Sequence, residues 1–267
     1  MKQLLDAVRL IAEHASIEIL KVYDQGFDVE IKGDGSPLTM ADQNAHALIE
    51  QRLGVLTPDI PVLSEESSID AFEKRMSWSR FWMVDPLDGT KEFVKRNGEF
   101  TVNIALIDDG VPVLGVVHTP VTGVAHFAAK GCGAFKKNER GEVGSISVRR
   151  INDDSVTMVT SRSHAGAPVI AYRENMEQAG KKVDVTSMGS SLKICLVAEG
   201  LADIYPRLGP TSEWDTAAAH CVLVMAGGNM VDQSGAALQY NKPDILNPWF
   251  LACGDPEQDW VQFLGQN

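Results

Sequence analysis

Two aspartates stand three residues apart at the end of an apolar run, Trp82-Met83-Val84-Asp85-Pro86-Leu87-Asp88, and Gly89-Thr90 follows at once. If the run is a strand, its end presents two carboxylates at one mouth, where a hard divalent cation finds the oxygen ligands it prefers. The backbone carbonyl of Leu87 would project between them as a further oxygen. Gly89 and Thr90 would open the next helix, whose unpaired N–H groups favour an anion. A divalent metal beside a phosphate group is the chemistry this combination suggests. The same residues also spell an ordinary turn, with Pro fixing φ, Gly taking positive φ and Asp capping the backbone.

Two other segments favour the metal reading. Pro61-Val62-Leu63-Ser64-Glu65-Glu66-Ser67 is a second apolar run that ends in acids, and Ser212-Glu213-Trp214-Asp215-Thr216-Ala217-Ala218-Ala219-His220 places acids at the start of an Ala-rich helix. Glu65, Asp85, Asp88 and Asp215 are the candidate metal ligands, since clustered like charges need cations to coexist. Taken singly, each reads as a cap or a solvated residue, and position alone does not choose Glu65 over Glu66. Thr90 is a candidate to orient a water nucleophile or hold phosphate, or else a first-turn helix residue. Asp42 reads as the N3 residue of a helix, and His220 as a satisfied core histidine. His164, Ser190, Lys193 and Arg207 are polar residues of the second half that could meet a substrate. Helix capping by the serine and solvation of the cations is the competing reading.

The whole chain bounds these readings. Its 267 residues suffice for one large core or two fused lobes, and 44% apolar with 22% charged residues is ordinary for a globular protein. A formal net charge of −12 argues against a nucleic-acid polymer or an acidic membrane surface as partner. A small phosphorylated substrate is still compatible, because a bound metal reverses the field locally. Cys132, Cys195, Cys221 and Cys253 form no C-x-x-C pair and read as reduced thiols, which implies a reducing compartment, the cytoplasm. A peripheral place on the cytoplasmic face of the inner membrane is the variant of that reading. No apolar run approaches the roughly 20 residues of a membrane span. The oligomeric state is left open.

Leu4, Leu5, Val8, Ile11, Ala12, Ala15 and Ile19 recur at helical spacing, so Met1 to Leu20 reads as an amphipathic helix, not a signal peptide. A second helix is expected over Met40 to Leu53, with Thr39 as N-cap, after a polar loop Lys32-Gly33-Asp34-Gly35-Ser36-Pro37. Short strands are expected around Val62, Phe81 to Val84, Thr101 to Ile107, Val113 to His118 and Val124 to Ala129, as an antiparallel meander. In the second half, strands at Val156 to Thr160, Val183 to Thr186, Ala202 to Tyr205, Asn229 to Asp232 and Trp249 to Ala252 alternate with helices. Those helices are Pro168 to Gln178, Ser190 to Glu199, Asp215 to Met225 and a closing one at Asp255 to Leu264. The expected division is an N-terminal α+β lobe, residues 1–150, and a C-terminal α/β lobe, residues 151–267, acting as one catalytic unit.

The three acidic segments together resemble the lithium-sensitive, metal-dependent phosphomonoesterases of the inositol monophosphatase superfamily. Glu65-Glu66-Ser67, Asp85-Pro86-Leu87-Asp88-Gly89-Thr90 and Trp214-Asp215 match its signatures in order, and Ser36-Pro37-Leu38-Thr39-Met40-Ala41-Asp42 joins them. Ser161-Arg162-Ser163-His164, Gly189-Ser190-Ser191-Leu192-Lys193 and Ala202-Asp203-Ile204-Tyr205-Pro206-Arg207 make the chain most similar to bacterial 3′(2′),5′-bisphosphate nucleotidases of sulfate assimilation.

The resemblance implies an α/β (α+β) fold, a five-layer α-β-α-β-α sandwich, and two to three Mg²⁺ ions. Glu65, Asp85 and the Leu87 carbonyl would hold one ion and Asp85, Asp88 and Asp215 a second, with Glu65 assisting a looser third. It selects Glu65 over Glu66 and has Asp42 bond Thr90, so that the hydroxyl positions a water. Gly89, Thr90 and Asp215 would be substrate-binding residues, and His164, Ser190, Lys193 and Arg207 would contact the nucleotide, the two cations near the phosphate that is not cleaved. The implied reaction is hydrolysis of the 3′-phosphate of adenosine 3′,5′-bisphosphate to AMP and phosphate. The alternatives are an inositol or sugar monophosphatase on the same scaffold, or a non-catalytic phosphate- or metal-binding protein. No nucleophile elbow or Cys–His pair suggests a covalent intermediate.

Overall fold

The computed structural model of the chain describes residues 1–25, 30–31, 37–67, 72–151, 154–162 and 166–265. Its first helix, α1 (Lys2–Gln25), buries Leu5, Val8, Ile11, Ala12, Ala15 and Ile19 as one stripe, the outcome their spacing dictates. The strands β1 (Glu30–Ile31) and β2 (Pro37–Leu38) form a small antiparallel ladder, and the expected loop at 32–36 lies outside the described residues. Helix α2 (Met40–Leu56) begins with a full capping box. The Thr39 hydroxyl accepts the Ala41 N–H at 3.2 Å, and Asp42 Oδ2 accepts the Thr39 N–H at 2.8 Å.

A seven-stranded sheet follows in chain order: β3 (Val62–Ser64), β4 (Arg80–Asp88), β5 (Thr101–Asp108), β6 (Val111–His118), β7 (Ala125–Ala129), β8 (Gly133–Lys137) and β9 (Val143–Ser145). The short helices α3 (Phe72–Arg75) and α4 (Thr90–Val94) interrupt it. The antiparallel meander holds from β4 onward. The first pair departs from it, because β3 lies parallel to β4. A parallel pair needs a crossover, and the connection that carries α3 provides one. The sheet also runs two strands further than the sequence indicated, since β8 and β9 are short strands without an apolar run.

The second sheet has the order β11-β10-β12-β14-β13. Here β10 (Ser155–Ser161) is flanked in parallel by β11 (Lys182–Met188) and β12 (Ile204–Arg207). The strands β13 (Asn229–Asp232) and β14 (Phe250–Cys253) close it in antiparallel pairing. Between these strands run α5 (Ala167–Gln178), α6 (Leu192–Ala198) and α7 (Ala217–Met225). The expected closing helix is reduced to a 3₁₀ turn at Val261–Leu264. The carbonyl of Asp255, which a helix would need for its first turn, instead accepts the Trp260 indole N–H at 2.9 Å.

The layers are α1 and α2, the seven-stranded sheet, α6 and α7, the five-stranded sheet, and α5 with the 3₁₀ turn: an α-β-α-β-α sandwich. Residues Ala217 to Leu223 of α7 are all buried, so this helix is apolar on every side, as a helix between two sheets must be. His220 is neutral there, its pKa pushed down to about 4 by burial, and its Nδ1 lies 2.9 Å from the Tyr240 hydroxyl. The core-histidine reading is correct. All four cysteines are free thiols.

The small residues of α7 let it approach β6 closely. A Cβ on Gly115 would lie 2.2 Å from the Ala218 carbonyl oxygen and 2.8 Å from Cys221 Cβ. Gly115→Ala is therefore expected to destabilise the protein by about 1–3 kcal/mol, the usual cost of overpacking. Equilibrium denaturant unfolding measures this, and an unchanged midpoint would refute the close packing of α7.

Candidate active site

The bend at the end of β4 builds the site. Asp85 pairs with Asn103 and Asp88 with Thr101, so three steps along β4 span two along β5. This bulge accommodates Pro86, which has no N–H to offer the ladder. Asp85 Oδ1 accepts the Leu87 N–H at 3.0 Å, which fixes the turn between the aspartates. The parallel pairing of β3 with β4 brings Glu65 alongside, its N–H donating to the Val84 carbonyl at 3.1 Å. Asp215 arrives from the opposite side, on a 3₁₀ turn (Glu213–Asp215) ahead of α7. There its Oδ2 accepts the Ser212 N–H at 2.9 Å.

Glu65, Asp85 and Asp215 each offer a carboxylate oxygen, and these oxygens all lie within 4.8 Å of one another. The fold brings Glu65, not Glu66, to this cluster. Burial, then Glu65, Asp88 and Asp215, drive the Asp85 carboxyl well above the ordinary range. Burial and then Asp88 push Asp215 up to about 8, with Arg207 offsetting only part. Converging acids that resist ionisation are the condition a divalent cation relieves, so the donor set fits a hard metal ion.

Asp88 adjoins this trio but is tied down, one oxygen accepting the Ser191 N–H at 2.6 Å and Asn103 Nδ2 at 3.3 Å. The Thr90 hydroxyl reaches the Leu87 carbonyl at 3.3 Å and Asp42 Oδ1 at 3.4 Å. Both sequence readings of Asp42 hold, because its other oxygen belongs to the capping box. Gly89 adopts φ +91, and a Cβ there would come within 3.3 Å of both Glu99 O and Ser190 Cβ.

These residues surround a cavity of about 250 Å³ that Leu87, Asp88, Gly89, Thr90, Ser190, Lys193, Arg207 and the acid trio all line. Asp42 stands behind Thr90. His164 lies outside the described residues. Lys193 is buried, its ammonium 2.5 Å from the Ser190 carbonyl and 5.4 Å from the centre of the Tyr205 ring. Arg207 donates to the Pro210 carbonyl at 2.7 Å, and its buried Nε has no hydrogen-bond partner among the described residues. An adjoining cavity of about 430 Å³ shares Glu65, Arg207 and Asp215 and is walled by Val169, Tyr205, Pro206, Leu208, Trp214 and Leu246.

Sequence reasoning missed several members. Lys91, Glu92 and Ser161 also line the smaller cavity. Ser191 is a junction: its N–H goes to Asp88, its hydroxyl donates to the Asp215 carbonyl at 2.6 Å, and it accepts Asn103 Nδ2 at 2.9 Å. A signal existed for Asn103, an amide inside the apolar run of β5, since a buried polar group demands a partner.

Known proteins resemble this chain over almost its whole length. The 3′(2′),5′-bisphosphate nucleotidase CysQ of Escherichia coli (strain K12) is 51% identical over 250 residues, 92% of this chain and 98% of the relative. Its namesake from Haemophilus influenzae is 35% identical over 260 residues, 97% of this chain and 96% of the relative. The crystal structure of CysQ from Bacteroides thetaiotaomicron, 40% identical, matches with a TM-score of 0.83 over 95% of this chain and 98% of that one. Thermotoga maritima IMPase matches with a TM-score of 0.80 at 23% identity, over 99% and 97% of the two chains, a likeness of fold alone. The model of the inositol monophosphatase family matches residues 1–257. The chain therefore belongs to the inositol monophosphatase family.

Proposed function

We propose that the chain is a Mg²⁺-dependent 3′(2′),5′-bisphosphate nucleotidase that hydrolyses the 3′-phosphate of adenosine 3′,5′-bisphosphate to AMP and phosphate, serving sulfate assimilation and nucleotide recycling. The observation that carries this reading is the convergence of Glu65, Asp85 and Asp215 at the floor of one cavity that adjoins a larger, apolar-walled one. The first suits a phosphate and its cations, and the second has room for a nucleoside. The 51% identity to a nucleotidase supports the substrate class.

The family is metal-dependent. Glu65, Asp85, Asp88, Asp215 and the Leu87 carbonyl would hold two to three Mg²⁺ ions. When bound, the ions neutralise phosphoryl oxygens and acidify water. The chain's own residues do the rest. Asp42 accepts the Thr90 hydroxyl proton, which turns the Thr90 lone pairs toward the attacking water, and Glu65 shares in holding that water. The N–H groups of Gly89 and Thr90 meet the phosphoryl oxygens. Water attacks phosphorus in line as the bond to the ribose 3′-oxygen breaks; the water's oxygen joins the phosphate and one of its protons ends on the leaving 3′-oxygen. Ser190, Arg207, Lys193 and His164 are assigned to the nucleotide and its second phosphate. We place the site in one catalytic unit of two lobes, residues 1–150 and 151–267. Among the described residues no helix is long and apolar enough to cross a membrane. We place the chain in the cytoplasm, where its free thiols stay reduced.

Asp85 meets both other acids of the trio, so Asp85→Asn is expected to lower phosphate release more than tenfold without loss of fold. Assays in Mg²⁺ beside thermal unfolding measure this. Activity above about a tenth of wild type, with an unchanged melting curve, would defeat the metal assignment.

The acids also link metal to pH. The native carboxyl of Asp215 has its pKa near 8 against an ordinary 3.8, and that of Asp85 is raised too. Between these values the native state holds more protons than the unfolded one, so this contribution to stability falls as pH rises from about 4 to 8. In EDTA, Asp215→Asn is expected to flatten that decline. Mg²⁺ should raise the melting temperature more at pH 8 than at pH 5. An equal rise at both would contradict the linkage.

A phosphate-release panel over adenosine 3′,5′-bisphosphate, inositol 1-phosphate and fructose 1,6-bisphosphate tests the substrate. Preference for inositol 1-phosphate would overturn the nucleotidase reading. Charge-assisted contacts are worth about 1.5–3 kcal/mol, so Arg207→Ala should cost the nucleotide roughly ten- to a hundredfold in kcat/KM and inositol 1-phosphate little. Lys193→Ala should weaken both substrates, and the bisphosphate more, because its ammonium also holds the Ser190 carbonyl.

A further inference from the structure

We propose that Glu99 is a positioning residue that fixes the mouth of the site by locking the Ser161 and Ser190 walls to the segment that carries Thr90. Glu99 lies between α4 and β5, and its carboxylate reaches two other segments. Oε2 accepts the Gly189 N–H at 2.8 Å and Arg162 Nε at 2.6 Å, and Oε1 accepts Arg162 Nη2 at 2.6 Å. The Arg162 pair is bidentate, the geometry that fixes direction as well as distance. Arg162 adjoins Ser161 and Gly189 adjoins Ser190, both of which line the acid-floored cavity, whereas Glu99 does not. Glu99 thus stands outside the cavity and holds the neighbours of two residues that line it.

The junction has no slack. A Cβ on Gly189 would sit 2.6 Å from the Glu99 carbonyl oxygen and 2.8 Å from Glu99 Cβ, and one on Gly89 would lie 3.3 Å from that same carbonyl. Ser190 adopts φ +43, a left-handed conformation that a residue with a side chain keeps only when its surroundings enforce it. Glu99 on one side and Lys193 on the Ser190 carbonyl on the other provide that enforcement. Arg162 in turn holds Glu99 below the usual carboxylate range, so the junction is charged. The Arg162 side chain is half exposed, and such pairs add little to global stability. What the pair supplies is the separation of the walls. The Arg162 guanidinium is therefore an anchor for Ser161.

This inference rests on the phosphatase reading, and its test separates the two. Steady-state kinetics on adenosine 3′,5′-bisphosphate in saturating Mg²⁺ are run beside thermal unfolding. Glu99→Gln and Arg162→Gln should each raise KM roughly five- to thirtyfold, with kcat within about threefold and the melting temperature nearly unchanged. The double variant should be no worse than the worse single, since both remove one junction. Arg80→Gln, which breaks the exposed Arg80–Asp108 pair at the other end of β4, should leave KM as it was. Unchanged KM in both single variants, or additive losses in the double, overturns the proposal. If Glu99→Gln does not fold, Arg162→Gln and Arg162→Lys decide: a raised KM that the lysine partly restores supports the junction, and an unchanged KM overturns it. A wild-type protein inactive on the bisphosphate sinks the substrate reading alone, and the same variants on the ester it does hydrolyse still decide the role of Glu99.

Discussion

Everything in this molecule is arranged around a repulsion. Three carboxylates from three separate elements are pressed to within 4.8 Å of one another, and two of them are driven toward the neutral form by burial first and then by that crowding. Like charges left to themselves would part, so the scaffold must hold them against their own field. It does so with backbone geometry. The bulge in β4 fixes Asp85 and Asp88, a parallel strand fixes Glu65, and a capped 3₁₀ turn fixes Asp215. The three aspartates are also held by backbone N–H groups: Asp85 by Leu87, Asp88 by Ser191, Asp215 by Ser212. A site held in this way is preorganised for a guest ion.

The two sheets meet where this restraint is needed most. Ser191, at the start of α6, bonds Asp88, Asn103 and the Asp215 carbonyl, so one small side chain and its amide join β4, β5 and the turn before α7. On the far side α7 is apolar all round and lies almost in van der Waals overlap with β6 at Gly115. Polar contacts at the helix start set the direction of Asp215, and apolar packing along α7 sets its depth. Close-packed interiors of this kind transmit small shifts instead of absorbing them.

Much of the site was legible in the sequence because its signals are local. Two acids either side of a proline, a Thr-x-x-Asp cap and an apolar stripe at helical spacing are statements about a few neighbouring residues. Asp85, Asp88 and the Asp42 cap were found that way, as were α1, α2 and most strands, whereas the choice of Glu65 over Glu66 and the pairing of Asp42 with Thr90 came from the family resemblance. What was missed is non-local. The parallel setting of β3 depends on a crossover, and β8 and β9 owe their pairing to a neighbour and not to their own pattern. Ser191 and Asn103 acquire their roles only from partners far along the chain. Lys193 looked like a solvated cation and is buried, because its ammonium finds the Ser190 carbonyl and the face of the Tyr205 ring. The closing helix failed on one contact, the Trp260 indole taking the carbonyl the helix needed.

The placement of Asp215 on the last third of the chain has a consequence for how the protein is made. Glu65 and Asp85 sit on adjacent strands of a sheet that forms from largely sequential pairings, whereas Asp215 joins them only after α7 docks between the sheets. During synthesis the early strands emerge first, and the ion site is incomplete until nearly all the chain has been released. A divalent cation can therefore act as a seal on a finished fold and not as a seed for an unfinished one, stabilising by mass action only those molecules that have already brought the third acid home.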